Sequence, residues 1–244
     1  NSTESRAVLH TALRASENQK ILVNKKDIIP EIKSVKEKMK LFTTSVLNGN
    51  YKGFKGDKIT DVVNIGIGGS DLGPSMVVES LSHYKTDLNT YFISNVDGDH
   101  LNEILSKVNP ETTIFIIVSK TFTTIETLTN ANSVRSWFLK SASENDISKH
   151  FIAVSSNVEK AIEYGISSEN IFPMWDWVGG RFSLWSSVGL SISLSIGYEK
   201  FHELLEGARN MDLHFRNNEF SENIPVLMAC LSLWYNNFFN YQTH

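Results

Sequence analysis

Between Asp61 and Phe172, short apolar runs and helical stretches alternate along the chain. The apolar runs are Val62–Ile67, Tyr91–Ser94, Ile114–Val118, Phe151–Ser155 and the short Ile171-Phe172. Between them, Met76–Tyr84, Leu101–Lys107, Ile125–Leu139 and Val158–Tyr164 read as helices. Strands that alternate with helices build a parallel sheet covered on both faces. The expected class is therefore α/β, a doubly wound parallel sheet with flanking helices. Ligands of such sheets bind outside the carboxyl ends of the strands. The loops after the first and third strands both lie at that edge.

The loop after the third strand is Ser119-Lys120-Thr121-Phe122-Thr123-Thr124. It follows the most apolar run in the chain and precedes the helix expected from Ile125. Hydroxyls, one ammonium and a helix N-terminus thus converge on one point. Free N–H groups and the helix dipole favour an anion there. Helix capping alone accounts for Thr123 or Thr124. It does not account for Lys120 placed among the hydroxyls, and the stretch is read as a seat for a phosphate monoester.

The loop after the first strand is Gly66-Ile67-Gly68-Gly69-Ser70-Asp71-Leu72-Gly73. Its glycines allow backbone conformations or close approaches that a side chain forbids. A dinucleotide fingerprint needs a third glycine where Asp71 stands, and a phosphate-binding P-loop needs a terminal Gly-Lys-Ser/Thr that is absent. A tight strand-to-helix turn explains part of the pattern. The functional reading places Gly69 and Ser70 against a sugar or phosphate. A nicotinamide-dependent oxidoreductase keeps some support from Gly66-Ile67-Gly68 and from Asp97 after the next strand. The third motif is Val178-Gly179-Gly180-Arg181-Phe182-Ser183, either a surface turn or a bend at Gly180 that projects Arg181 inward. A guanidinium there could stabilise a developing oxyanion.

Elsewhere the pattern is helical. Thr3–Ala15 is expected to be a helix with Val8, Leu9, Ala12 and Leu13 in a stripe, and Arg6, His10 and Arg14 on a solvated face. Asn18–Ile29 reads as a connector, and Pro30 opens a second helix through Val46. After Trp177 come a buried helix over Ser183–Ile196, an amphipathic one over Tyr198–Arg216 and an apolar one over Ile224–Phe239. Trp175-Asp176-Trp177 reads mainly as packing. His83, His100, His150, His202, His214 and His244 show no metal-ligand spacing.

Net charge is −4, so there is no basic excess to draw the whole chain onto nucleic acid or an anionic membrane, and any anion site must be local. The single cysteine, Cys230, allows no intrachain disulfide. With no apolar run of spanning length and no visible signal peptide, the expectation is a cytoplasmic protein with neither membrane nor nucleic-acid partner. The Asn1-Ser2-Thr3 sequon is then irrelevant.

Taken together, Asn64–Pro74, Ser119–Thr124 with Glu126-Thr127, Val178–Ser183, and the opening Thr3-Glu4, Arg6–His10 and Ala12–Arg14 resemble the glucose-6-phosphate isomerase (phosphoglucose isomerase) family along essentially the whole chain. The resemblance implies flavodoxin-like sugar isomerase domains: residues 1–50 a helical segment, 51–198 the first such domain, and 199–244 helices leading to a second one outside the chain. It implies an aldose–ketose isomerase that interconverts glucose 6-phosphate and fructose 6-phosphate through a cis-enediol, without metal or organic cofactor, and works as a homodimer. Ser119, Lys120, Thr121 and Thr124 would hold the phosphate, within a stretch that includes Phe122 and Thr123. Gly69, Ser70 and Gly180 would lie against the substrate, and Arg181 would steady the intermediate's negative charge. The family's glutamate base, ring-opening histidine and late lysine lie in runs that do not occur here. The expectation is a fragment that binds but does not turn over. A non-catalytic sugar-phosphate sensor remains the alternative.

Overall fold

The computed structural model describes residues 5–241. The sequon, Thr3-Glu4 with the start of the expected first helix, and Gln242–His244 lie outside them. The chain divides into two compact units, Asn1–His202 and Glu203–His244.

In the first unit a small hairpin, β1 (Leu22–Val23) and β2 (Lys26–Asp27), lies within the expected connector. Asn24 and Lys25, both with positive φ, make its turn. Asp27 Oδ1 then accepts from the amide of Ile29, the first residue of α1 (Ile29–Leu47). The main sheet comprises β3 (Asp61–Ile65), β4 (Asn89–Ile93), β5 (Thr113–Val118), β6 (Phe151–Ser155) and β7 (Ile171–Pro173). All neighbouring pairs are parallel, in spatial order β4-β3-β5-β6-β7. Counted along the sheet's own strands the order is 2-1-3-4-5, the flavodoxin-like winding, with its switch point between β3 and β5. Helices α2 (Leu72–Ser80), α3 (Gly98–Lys107), α4 (Ile125–Phe138) and α5 (Val158–Glu163) make the crossovers.

Every residue of β3, β5 and β6 is buried, as the continuous apolar runs require. Side chains alternate between two cores. Val63, Ile65, Phe115, Ile117, Phe151 and Ala153 meet Leu101 and Ile104 of α3, Val134 and Phe138 of α4, and Ala161 of α5. The opposite face is covered by α1 and α6 (Leu190–Ile196), with Thr43 of α1 bonded to Ser193 of α6 at 2.8 Å.

Two expected helices are broken, each for a local reason. The first is reduced to a 3-10 turn, His10–Arg14. Before it the backbone leaves the helical path so that the Leu9 amide reaches the Trp177 carbonyl at 3.0 Å. The expected Ser183–Ile196 helix is a 3-10 turn over Gly180–Trp185, another over Ser187–Gly189, and then α6. Ser186 makes the break. Its hydroxyl donates to the Ser183 carbonyl at 2.6 Å and accepts from the Val188 amide at 3.2 Å, which replaces helical bonding. α7 (Tyr198–Asn217) leads into the second unit, where α8 (Ile224–Phe239) is capped by Asn223. Among the described residues no helix is long and apolar enough to cross a membrane.

Candidate active site

The loops after β3 and β5 flank the switch point, and the segment 176–183 closes on both. Its contact with the first is backbone on backbone. A Cβ on Gly69 would overlap the Gly180 carbonyl, so only glycine lets the two chains meet. Ser183 Oγ ties them further, donating to the carbonyls of Gly180 (2.6 Å) and Gly69 (3.2 Å). Asn64, wholly buried in β3, holds the same loop by donating from Nδ2 to the Ser70 carbonyl at 3.0 Å. Ser70 and Gly69 are half-buried, and Gly180 and Arg181 are exposed. Asp71, where the dinucleotide fingerprint needs glycine, is largely buried; burial pushes its carboxyl pKa up, against the lowering charge of His100. Asp97, the acid the oxidoreductase reading requires, is used otherwise. Its Oδ1 accepts from the amides of Asp99 and His100 and caps α3.

The Ser119–Thr124 loop folds back at Phe122, whose φ of 53° is unusual for an aromatic residue. The Phe122 ring goes into the core against Tyr164, so any contact it makes with a ligand comes from its backbone. Ser119 Oγ donates to Thr124 Oγ1 at 3.1 Å, and the hydroxyls of Thr121 and Thr123 pair at 2.6 Å. The loop's carbonyl at Lys120 is held by the Ser156 amide (2.9 Å), the Ser156 hydroxyl (2.6 Å) and the Ser155 hydroxyl (3.1 Å). Sequence reasoning did not single out either serine, although Ser155 ends the fourth apolar run and Ser156 follows it. In the first turn of α4, Thr127 Oγ1 is buried without a partner. Hydroxyls and a helix N-terminus are thus fixed at the strand end, an arrangement suited to oxyanions.

Lys120 does not point its ammonium at those hydroxyls. It donates to the carbonyls of Asp176 (3.1 Å) and Val178 (3.3 Å) and lies 3.5 Å from Asp176 Oδ1. Arg181 lies over the Phe182 ring, 5.0 Å from its centroid. The expected packing role of the tryptophans holds: Trp175 and Trp177 stack at 5.0 Å, and Trp175 Nε1 donates to Glu31.

The expected solvated face of Arg6, His10 and Arg14 is corrected. His10 stacks on Phe182 at 4.4 Å, and Arg14, only 5% exposed, lies over Trp185 at 4.9 Å. Arg6 Nη1 donates to the carbonyls of Asp176 and Val178. The i, i+4 spacing of these three was the visible signal. Their partners, more than 160 residues away in sequence, were not.

The fold and this edge define the class: a doubly wound, flavodoxin-like α/β protein with its candidate site at the switch point. The chain belongs to the phosphoglucose isomerase family, whose family model matches residues 1–244. It is 61% identical over 239 residues to the glucose-6-phosphate isomerase of Christiangramia forsetii, covering 98% of this chain and 44% of that protein. Among solved structures it is similar to the crystal structure of a glucose-6-phosphate isomerase from Chlamydia trachomatis (32% identity, TM-score 0.84), covering 98% of this chain and 44% of the other. A hypothetical protein from Thermus thermophilus shares the fold, at 24% identity and TM-score 0.69, over 86% of this chain and 48% of the other. The chain therefore spans somewhat less than half the length of these relatives.

Proposed function

We propose that the protein acts as a glucose-6-phosphate isomerase, converting glucose 6-phosphate to fructose 6-phosphate and back through a cis-enediol. One observation carries the reading. The segment 176–183 meets both loops at one edge of the sheet, with Gly180 against the Gly69 backbone and the carbonyls of Asp176 and Val178 on the Lys120 ammonium. Ser119, Thr121, Thr123 and Thr124 hold the substrate phosphate together with the N-terminus of α4 and the Lys120 ammonium, which turns to it from the loop carbonyls. Gly69, Ser70 and Gly180 lie along the sugar, with Phe122 contributing backbone only. Anchoring the unreactive end orients C1 and C2, so binding energy there is used at the reacting carbons. Proton removal from C2 leaves an enediolate whose charge Arg181 stabilises, and the proton is returned at C1. The reading assigns the proton-transferring base to residues outside these 244, so the isolated chain binds but does not turn over. It also places the intact protein in the cytoplasm as a homodimer.

The experiment is Arg181→Ala in the intact gene product. Turnover falls by about 10²–10³-fold, the usual effect of losing one oxyanion-stabilising group, while glucose 6-phosphate still binds. Loss of binding alone would favour the sensor. Measurable turnover by the purified 244-residue chain would contradict the placement of the base.

A further inference from the structure

Arg6 has no part in the chemistry above, yet it bonds the two carbonyls that Lys120 bonds. Its guanidinium donates to the Asp176 carbonyl and, at 3.4 Å, to the Val178 carbonyl, the two that the Lys120 ammonium also bonds. The carbonyl between them, at Trp177, is taken by the Leu9 amide. Three successive carbonyls are thus held just before Gly179-Gly180-Arg181, two of them by two cations each.

The two cations are not equivalent. Lys120 belongs to the hydroxyl loop and carries its charge on a flexible stem, so an arriving phosphate competes for it. Arg6 comes from the N-terminal segment, which is fixed by the stack of His10 on Phe182 and by Arg14 over Trp185. One cation could leave the carbonyls without freeing them. We propose that Arg6 is a positioning residue: it keeps Asp176–Val178, and through them Gly180-Arg181, in place when Lys120 turns to the substrate phosphate. The nature of the substrate rests on the proposed function; the hold on the loop does not.

The test uses the intact gene product with Arg6→Gln and Arg6→Lys, each alone and in an Arg181→Ala background. Arg6→Gln lowers kcat about 10–100-fold, the scale expected when a reacting group is misplaced, with KM changed less than about threefold. In the Arg181→Ala background it lowers kcat no further, because its effect passes through Arg181. Arg6→Lys recovers most of the loss, since an ammonium already bridges these carbonyls from Lys120. With inorganic phosphate bound, the amides of 179–182 exchange hydrogen faster in Arg6→Gln than in wild type. A kcat loss repeated in full without Arg181, or unchanged exchange with phosphate bound, overturns the proposal. Should Arg6→Gln not fold, the smaller defect of Arg6→Lys is read by the same two criteria. A wild-type protein without turnover would sink the proposed function, and the exchange measurement alone would then decide the role of Arg6.

Discussion

At the scale of single residues, the site depends on one atom that is missing. Gly69 has no Cβ, and the Gly180 carbonyl fills the space one would take. Gly69→Ala must push the two loops apart, and overpacking of this kind costs about 1–3 kcal/mol. A thermal melt is expected to show that loss. Turnover of the intact protein is expected to fall more than stability alone explains, because the displaced segment carries Arg181. Unchanged activity in a destabilised Gly69→Ala protein would separate the loop contact from function. Lys120 shows how far residue type can be read and where reading stops. A lysine among hydroxyls beside a helix N-terminus points to an anion on chemistry alone. Its resting partners, two carbonyls 56 and 58 residues further along, are set by tertiary structure.

At the scale of elements, the central strand runs were legible because their burial is complete, and the crossover helices α3, α4 and α5 because one face of each packs on the sheet. Thr113–Val118 and Phe151–Ser155 have no exposed residue, so composition and position coincide. The segments that misled, before His10 and around Ser186, are those whose backbone bonds go to distant carbonyls or to serine hydroxyls. Helical periodicity in sequence cannot register that competition. At the sheet end opposite the site, His150 joins three pieces of chain. Its Nδ1 bonds the Thr113 carbonyl at 2.7 Å and its Nε2 accepts from the Phe54 amide at 3.0 Å. Lack of metal-ligand spacing marks it in the sequence, with the other histidines, as structural or exposed; the first of these is what the structure shows. Burial holds its pKa below the usual 6.5, although the bond to Thr113 pulls the other way. Below pH 6.5 the unfolded chain takes up a proton that the folded chain resists, so stability drops progressively until the pH reaches the lowered folded value. Denaturant unfolding on either side of pH 6.5 is expected to show this slope, and His150→Gln to lose its share of it. An identical slope in the variant would remove His150 from the acid response.

At the scale of the molecule, the winding order matters more than any motif. It puts the first and third strands of the sheet side by side, so two loops some 50 residues apart in sequence end at one edge. The N-terminal segment then supports the third loop from outside the sheet, through Arg6, His10 and Arg14. The whole account rests on an anion held by the Ser119–Thr124 loop. The most direct test is calorimetric titration of glucose 6-phosphate into the intact gene product, wild type beside Lys120→Ala and Thr124→Ala. Loss of one charge-assisted hydrogen bond is expected to raise Kd about 10–100-fold in each variant, with glucose lacking the phosphate bound by none of them. Glucose 6-phosphate bound equally tightly by all three proteins would contradict the account.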